Sequence, residues 1–202
     1  IFAYYPVNRT VLDIPVRIRQ KHEFALLEAY DDALTSAANF RRFFEWFRNR
    51  EDLENERFRE LANTKQSPLD DQLQAVRSAL ERFMPQFKNI RIQRNPLAMI
   101  VEKDGERMRV EQLSDGEKCM VAMVGDLARR LAIANPTQEH PLEGEGVVLI
   151  DELDLHLHPQ WQRLVIHQLT SVFPNCQFII TTHSPQIMGE VQASALRILK
   201  RD

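Results

Sequence analysis

The stretch VVLIDELDLHLHP, residues 147–159, decides how the fold of this sequence is interpreted. Val147–Ile150 is an uninterrupted apolar run, and two acids, Asp151 and Glu152, follow it without a spacer. A short apolar run of this kind is typical of a strand that is buried on both faces of a sheet. Adjacent carboxylates at the end of such a strand are costly unless a positive group compensates them. We therefore predict a strand over Val147–Ile150 and a functional role for the two acids.

A second apolar strand is predicted over Gln177–Thr181, and it leads into Thr182 and His183. A helix is predicted to follow Pro159, because proline is favoured at the first helical position. Strand, helix and strand in this order are typical of a parallel sheet, whose strands end at the same edge. Ligands of such sheets bind beyond the carboxyl ends of the strands. The predicted fold class is therefore α/β, with His183 close to the acids of the first strand.

Composition limits the class of protein. The 202 residues are 44% hydrophobic and carry 26 basic and 29 acidic side chains, for a net charge of −3. The hydrophobic fraction can form a core, and the charge balance gives no whole-chain argument for nucleic-acid binding. The sequence has two cysteines without a CxxC pair, and no apolar run approaches the roughly 18 residues of a membrane helix. Since the chain opens on Ile1 without a signal peptide, we expect an internal piece of a longer cytoplasmic protein that does not contact a membrane.

The first half of the chain is predicted to be mainly helical. Residues 1–20 alternate apolar and basic side chains and indicate a strand with a connecting loop, whereas residues 21–63 lack glycine and proline and indicate helix. A second helix is predicted from Ser67 as N-cap and Pro68 as first helical residue to about Met84. We therefore divide the chain into part of the core (1–20), a helical insertion (21–85) and the C-terminal part of the core (86–202).

The middle of the chain is predicted to form strands, a hairpin and one long helix. Residues 90–93 and 97–113 have strand character, and Asp104 with Gly105 is typical of a tight hairpin turn. The long helix is expected after Ser114. Its apolar face is predicted to consist of Met120, Met123, Val124, Leu127 and Leu131.

The acid pair fits the chemistry of a nucleotide with a magnesium ion. Mg²⁺ binds one or two carboxylates together with water and phosphate oxygens. A second carboxylate beside the metal can orient or deprotonate an attacking water. We therefore predict that Asp151 holds the metal and that Glu152 is the general base. An ordinary polar strand end explains the same two residues when they are taken alone.

The sequence LSDGEK, residues 113–118, begins the long helix and allows two interpretations. Ser114 followed three residues later by Glu117 is a capping box, which needs no ligand. The same helix N-terminus exposes backbone N–H groups that bind anions, and Gly116 would let a phosphate approach closely. His183 also allows two interpretations, because a lone histidine is more often structural than catalytic.

Taken together in this order, the three motifs resemble those of the ABC-type ATPase domain. The order is Ser-x-Gly-Glu at a helix start, an apolar strand with Asp-Glu, and Thr-Thr-His-Ser after the next strand. The match is to the stand-alone ATPases of the SMC, RecF and OLD-nuclease kind. The resemblance implies a P-loop NTPase fold that binds ATP and Mg²⁺ and forms a dimer around ATP. It identifies Leu113–Glu117 as the signature motif, Val147–Glu152 as the Walker B strand, Leu153–His158 as the D-loop and His183 as the switch histidine.

The resemblance implies a role for each residue of these motifs. Asp151 would coordinate Mg²⁺ through water, and Glu152 and His183 would be catalytic. The nucleotide would be contacted by Ser114, Asp115, Gly116, Glu117 and His158. The family's signature reads Leu-Ser-Gly-Gly-Gln, so Asp115 and Glu117 depart from it, and an acid at Asp115 implies slower turnover. The family's D-loop ends in aspartate where this chain has His158, and His156 and His158 are interpreted as dimer contacts and not as metal ligands.

The N-terminal P-loop part of the fold is expected to be absent from this chain. No G-x-x-x-x-G-K-[S/T] pattern occurs, and in the resembling family the P-loop precedes the signature. The opening YYPVNRTVLDIPVRIR, followed by a helical insertion, resembles the PtuA ATPases of Septu and retron antiphage systems. That resemblance implies a homodimer or higher homo-oligomer and an HNH-type nuclease partner. It also implies a reverse transcriptase with its msDNA, and hence nucleic acid, as a further partner.

The insertion carries a cluster of aromatic residues within NFRRFFEWFRNR, residues 39–50. Helical spacing places Phe40, Phe43, Phe44 and Phe47 on one face. A core stripe is the favoured interpretation. The alternative is a surface for a partner protein or nucleic acid, flanked by Arg41, Arg42, Arg48 and Arg50.

Three functions agree with these motifs. The leading hypothesis is an ATPase whose nucleotide-driven dimerisation regulates a partner nuclease in antiphage defence. The second is a DNA repair ATPase of the RecF or SMC kind, although no coiled-coil heptads are sustained here. The third is an ATP-bound scaffold with little hydrolysis. The acid at Asp115 favours this hypothesis because it implies slower turnover, whereas the intact predicted base, Glu152, argues against it. A Toprim-type acidic domain downstream would instead indicate an OLD nuclease.

Overall fold

A computed structural model of the chain describes residues 1–7, 29, 30, 33, 40–61 and 69–199. The strands in chain order are β1 (Phe2–Tyr5), β2 (Phe87–Arg94), β3 (Leu97–Lys103), β4 (Glu106–Arg109), β5 (Gly146–Ile150) and β6 (Cys176–Ile180). The helices are α1 (Phe40–Glu60), α2 (Asp71–Phe83), α3 (Asp115–Ala134), α4 (Pro159–Val172) and α5 (Pro185–Gly189). Short 3₁₀ turns span Val110–Gln112, Pro141–Glu143 and Ala193–Ala195.

The predicted parallel sheet is confirmed, with the strand order β1-β5-β6. Tyr5 pairs with Ile150, which pairs with Ile180, so the three strands end in line at one edge. Helix α4 forms the crossover between β5 and β6 and begins at Pro159, as predicted. Both β5 and β6 start one residue earlier than the sequence indicated, which is within the usual uncertainty of strand ends.

Helix α3 lies in the centre of the molecule and is buried on every side. The predicted apolar face is buried, but so are all residues from Cys119 to Ile133. The predicted face is therefore part of the core, and the burial extends beyond it to the rest of the helix. The reason is that α3 touches the sheet through Tyr5 on one side, while the ring of Phe43 from α1 lies against Gly125 on another.

The aromatic cluster of α1 belongs to the core. Phe40, Phe43, Phe44 and Phe47 are at most 1% exposed, and Trp46 is fully buried beside them. The core interpretation is therefore confirmed, and the partner-surface interpretation is wrong for these aromatic side chains. Nearby acids pair with several of the flanking arginines, as in Arg41–Glu45, Arg48–Asp52 and Arg50–Asp70.

The start of α2 differs from the prediction. Asp70 is the N-cap, and its Oδ1 accepts a hydrogen bond from the Leu73 N–H at 3.0 Å. Asp70 is also paired with Arg50 at 3.2 Å, which fixes this carboxylate where it can cap the helix. The predicted cap, Ser67, and Pro68 lie outside the described residues.

A second sheet is antiparallel and has the strand order β2-β3-β4. The predicted hairpin turn is confirmed, since Asp104 and Gly105 both have positive φ, at 51° and 85°. The Asn95–Pro96 peptide bond between β2 and β3 is cis. This sheet places Lys103, at the end of β3, beside the first turn of α3.

The predicted segments share one hydrophobic core. Tyr5, Phe43 and Leu127 come from the three segments 1–20, 21–85 and 86–202, and all belong to one buried cluster. The segment boundaries themselves stay predictions, and much of 8–39 lies outside the described residues. No helix of the described part is long and apolar enough to cross a membrane.

One face of the parallel sheet is only partly covered. Register aligns Tyr4, Leu149 and Ile179 across the three strands on this face, and Phe2 lies on the same face of β1. Phe2 and Ile179 are 37% and 52% exposed. The opposite face carries Ala3, Tyr5, Val148 and Ile150, which are buried in the core.

Candidate functional site

The two acids of the opening stretch stand at the carboxyl edge of the parallel sheet. The backbone N–H of Asp151 donates to the Tyr5 carbonyl at 2.9 Å, which extends the pairing of β1 with β5 by one residue. Glu152 then adopts a φ of 45°, so the chain turns sharply away from the strand. A non-glycine residue in this region is uncommon and indicates that the surrounding contacts hold the turn in place.

Thr181, directly after β6, connects the two acids. Its hydroxyl donates to Asp151 Oδ1 and accepts from the Glu152 backbone N–H at 2.8 Å. The backbone of Thr181 pairs with Ile150 and Leu153 at 2.9 and 3.0 Å. The acidic loop, residues 151–158, is therefore attached to the end of the neighbouring strand.

Asp154 connects the acidic loop to the histidine loop, residues 181–184. Its Oδ1 accepts hydrogen bonds from the Thr182 hydroxyl and from the His183 backbone N–H at 3.2 Å. Ser184 then caps α5, because its Oγ accepts from the Ile187 N–H at 3.3 Å. The structure therefore brings His183 to the same sheet edge as Asp151 and Glu152, as the sequence predicted.

The N-terminus of α3 has the predicted capping box. Ser114 Oγ accepts from the Glu117 N–H at 3.4 Å, while the Glu117 carboxylate accepts from the Ser114 N–H at 3.0 Å. Lys103 Nζ lies 2.8 Å from Glu117 Oε1. Partial burial by itself would raise the pKa of Glu117, but the hydrogen bonds from Lys103 and Ser114 outweigh it and lower that pKa. Glu117 therefore stays ionised, with a cation beside it.

Asp115 also has a cation beside it. Lys118 Nζ lies 2.8 Å from Asp115 Oδ1 on the exposed first turn of α3. The hydrogen bond and charge of Lys118 lower the pKa of Asp115, and the more distant His156 adds to the effect. Lys118 and Lys103 thus compensate the negative charges of Asp115 and Glu117. These are the two acids that differ from the signature Leu-Ser-Gly-Gly-Gln.

A cavity of about 340 Å³ separates the starts of α3 and α4. Its lining includes Ser114, Gly116, Glu117, His156 and His158. The backbone of Gly116 touches the acidic loop, because a Cβ at this position would lie 2.4 Å from the His156 carbonyl oxygen. This contact gives Gly116 a packing role in addition to the predicted phosphate contact.

His158 is the N-cap of α4. Its Nδ1 accepts from the Gln160 N–H at 3.4 Å, and Pro159 follows at the first helical position. His156 lies in the same loop with a positive φ of 64°. The sequence predicted the helix after Pro159 but not the capping role of His158, because serine, threonine, aspartate and asparagine are the usual caps.

A buried charge cluster connects α3 to the end of β1. Asp126 accepts hydrogen bonds from Tyr5 Oη at 3.1 Å, from Arg129 Nη2 at 2.8 Å and from Arg130 Nε at 2.8 Å. All four residues are at most 4% exposed. Burial, followed by the charge of Asp126, raises the pKa of Tyr5 well above its ordinary value, so the phenol stays neutral and donates. The Tyr5 carbonyl also accepts the hydrogen bond from the Asp151 N–H. The cluster therefore helps to fix the strand end at which the candidate site lies.

Sequence reasoning missed the residues that position the site. Thr181 and Asp154 were not predicted, because their partners are 28 to 30 residues away in the chain. The Asp126 cluster was also missed, since it includes Tyr5 from a strand 121 residues away. The adjacent threonines of TTHS were the available signal, since hydroxyls at a strand end commonly bond to nearby loops. Among the described residues, no group of three or more His, Cys, Asp or Glu side chains is placed to hold a metal ion. A single strand-end carboxylate still fits Mg²⁺, because most ligands of this ion are water molecules and phosphate oxygens.

Comparison with known proteins identifies the family. The family model described as "AAA domain, putative AbiEii toxin, Type IV TA system" matches residues 10–189. This match covers most of the chain, and the chain therefore belongs to that family of AAA-domain proteins.

Individual relatives confirm the resemblance to retron ATPases and to Septu PtuA proteins. The chain is 35% identical to the "Retron Ec83 probable ATPase" of Escherichia coli, over 99% of this chain and 47% of that protein. It is 40% identical to the Septu protein PtuA of Bacillus mycoides, over 46% of this chain and 13% of that protein. The SMC head domain from Thermotoga maritima is similar in structure, with a TM-score of 0.43 and 16% identity over 68% of this chain and 44% of that one. The chain spans about half the length of the retron relative it matches.

Proposed function

We propose that this chain supplies the hydrolytic part of an ATPase whose ATP-driven dimerisation regulates a partner nuclease in antiphage defence. The observation that carries the proposal is the carboxyl edge of the parallel sheet. There Thr181 holds two adjacent acids, and the loop with His183 is hydrogen-bonded to the loop that follows those acids. Ligands of parallel sheets bind at such an edge.

Asp151 is the proposed magnesium ligand. The hydroxyl of Thr181 and the carbonyl of Tyr5 fix the side chain and the backbone of Asp151, so its carboxylate has a defined position at the strand end. A preorganised carboxylate of this kind suits an ion that binds through one or two acids and through water. The bound ion would neutralise charge on the phosphates of ATP.

Glu152 is the proposed general base. It is the residue next to the proposed metal ligand, and its positive φ turns the chain away from the strand. A carboxylate in that position can accept the proton of a water that attacks the γ-phosphate. His183 is proposed to contact the γ-phosphate, because the histidine loop ends at the same edge.

The capped start of α3 is the proposed signature motif. Its N–H groups, with Ser114 and Gly116, would bind the phosphates of ATP that is held by a second subunit. His156 and His158 lie on the neighbouring loop and are proposed to contact that subunit. Each complete ATP site would then contain parts of two protomers.

The partners are proposed from the relatives. The names of those relatives identify one as a probable ATPase of a retron and the other as a Septu protein. We propose for the protein that contains this chain an HNH-type nuclease partner, a reverse transcriptase with msDNA, and a cytoplasmic location. The second candidate function is an ATP-bound scaffold with little hydrolysis, and the exposed acid Asp115 at the proposed phosphate contact favours it.

The substitution Glu152→Gln tests the hydrolytic part of this proposal. In the full-length protein it should reduce ATP turnover at least about a hundredfold and leave Mg·ATP binding unchanged, because only the base is removed. Turnover is measured by phosphate release and binding by equilibrium titration with a fluorescent ATP analogue. His183→Ala should also lower kcat more than affinity.

The exposed Glu190 beyond α5 provides the matched control, Glu190→Gln, which should behave as the wild type. Normal turnover of Glu152→Gln would show that Glu152 is not the base. Negligible turnover of the wild type with tight ATP binding would favour the scaffold.

A further inference from the structure

We propose that Asp154 is a positioning residue that sets the place of His183 relative to the acid pair. The proposal rests on the function proposed above for His183. Asp154 lies two residues after Glu152, and the histidine loop that it holds is about thirty residues further along the chain.

Both contacts of Asp154 with the histidine loop end on the same oxygen. Oδ1 accepts from the Thr182 hydroxyl and from the His183 backbone N–H at 3.2 Å. The first contact fixes a side chain and the second fixes the backbone of the histidine itself. The carboxylate thus acts on His183 by direct contact with its main chain.

Gln162 closes a ring of hydrogen bonds around this contact. Its Nε2 donates to the Asp154 carbonyl at 3.3 Å and to the Leu157 carbonyl at 2.9 Å. Its Oε1 accepts from Ser184 Oγ at 2.7 Å, and the Ser184 N–H donates to Thr182 Oγ1 at 3.0 Å. The acidic loop, α4 and the histidine loop are therefore connected by one polar network.

The ring has a consequence for chemistry at the sheet edge. His183 itself is exposed, and no strand pairing extends to it among the described residues. Its position therefore depends on the hydrogen bonds of its loop. Reacting groups must be held within fractions of an ångström, and side chains that carry out this task are themselves held by neighbouring hydrogen bonds.

The use of a single oxygen allows a sharp test with Asp154→Asn and Asp154→Ala. Asparagine keeps an Oδ1 that accepts both hydrogen bonds, whereas alanine removes it. Asp71→Ala is the matched control. Asp71 is an exposed acid in the first turn of α2, and this helix supplies no residue to the hydrogen-bond network around Asp154. All variants are made in the full-length protein.

Hydrogen exchange detected by mass spectrometry gives the first measurement. Asp154→Ala should speed exchange in peptides that contain the His183 amide by about tenfold or more, and Asp154→Asn should stay near the wild type. Unchanged exchange in Asp154→Ala would overturn the proposal. This measurement needs no ATP. It therefore tests the positioning role of Asp154 even if the wild type does not hydrolyse ATP. That result would refute the proposed function alone.

ATP turnover gives the second measurement. Asp154→Ala should lower kcat about tenfold with little change in KM, Asp154→Asn should recover at least half of the wild-type kcat, and Asp71→Ala should match the wild type. Thr182→Val should lower kcat, and Thr182→Ser, which keeps the hydroxyl, should restore it. If Asp154→Asn were as impaired as Asp154→Ala, the carboxylate charge and not the positioning would matter, and the proposal would be wrong.

Discussion

Asp126 compensates the positive charges of the buried cluster on α3. It accepts hydrogen bonds from Tyr5, Arg129 and Arg130 in a region without solvent. Removing one partner of a buried ion pair leaves an uncompensated charge, which typically costs about 3–5 kcal/mol. Asp126→Ala should lower the free energy of unfolding of the full-length protein by about that amount, measured by denaturant titration.

The control for this prediction is Tyr5→Phe. It removes one hydrogen bond to the ionised carboxylate and keeps both ion pairs, so it should cost about 1.5–3 kcal/mol, less than Asp126→Ala. Equal losses in the two variants would contradict the idea that Asp126 balances the arginines.

The same cluster gives stability a dependence on pH. Burial alone would raise the pKa of Asp126, but the charges of Arg129 and Arg130 outweigh it and hold that pKa below its ordinary value. A carboxyl with a depressed folded-state pKa contributes stability above its unfolded pKa of about 3.9, and this contribution disappears as pH falls further. The loss of stability between about pH 5 and pH 2 should therefore be steeper in the wild type than in Asp126→Ala.

At the scale of single residues, the sequence predicted the side chains with proposed chemical roles better than those that position them. Asp151, Glu152 and His183 were predicted to meet at one edge, because strand order and a parallel sheet are sufficient for that conclusion. Asp154 and Thr181 were missed, since nothing in a local pattern shows which distant backbone a hydroxyl or carboxylate reaches. Their hydrogen bonds depend on the final distance between two loops.

At the scale of elements, the contact of α1 with α3 depends on Gly125. A Cβ at this position would lie 2.6 Å from Phe43 Cζ, and the ring is fully buried. Glycine to alanine inside a helix ordinarily adds stability of up to about 1 kcal/mol, but overpacking a core typically costs about 1–3 kcal/mol. Gly125→Ala should therefore destabilise the protein by about 1 kcal/mol or more in a denaturant titration.

A smaller residue at Phe43 should relieve this clash. Phe43→Leu should itself be destabilising, and in the double variant the combined loss should be smaller than the sum of the two single losses. Gly189→Ala is the control, because a Cβ there meets no atom within 4 Å, and its effect should be within about 0.5 kcal/mol. Strict additivity of Gly125→Ala and Phe43→Leu would show that the two sites do not touch.

Periodicity predicted the elements themselves but not their surroundings. The strands β5 and β6, the hairpin at Asp104 and Gly105, and the capped start of α3 were all predicted from local signals. The complete burial of α3 was not, because an amphipathic pattern reveals only its most apolar face. Arg129 and Arg130 are polar in sequence and still face the core, since Asp126 compensates their charge.

At the scale of the whole molecule, the proposed signature contact would be made between protomers. Ser114→Arg places a bulky side chain where the opposing phosphate would bind, so it should abolish hydrolysis and leave the fold intact. A lysine variant in the P-loop, which is expected outside these 202 residues, should be inactive as well. In a mixed dimer both lesions fall in one composite site, so the other site is whole and part of the activity should return.

Mixing the two inactive proteins and measuring phosphate release checks this arrangement. Native mass spectrometry shows whether mixed dimers have formed. Full activity in a protein shown to be monomeric, with no recovery in proven mixed dimers, would rule out the shared site.

The partly covered face of the parallel sheet affects the solubility of this stretch of protein. Phe2 and Ile179 place apolar surface on one face of a sheet in which β6 is an edge strand, with no further strand beside it among the described residues. Open edges and apolar patches are where proteins aggregate. Expression of these 202 residues alone should therefore give material that is limited by colloidal solubility, and a polar substitution at Ile179 should raise the concentration at which it precipitates.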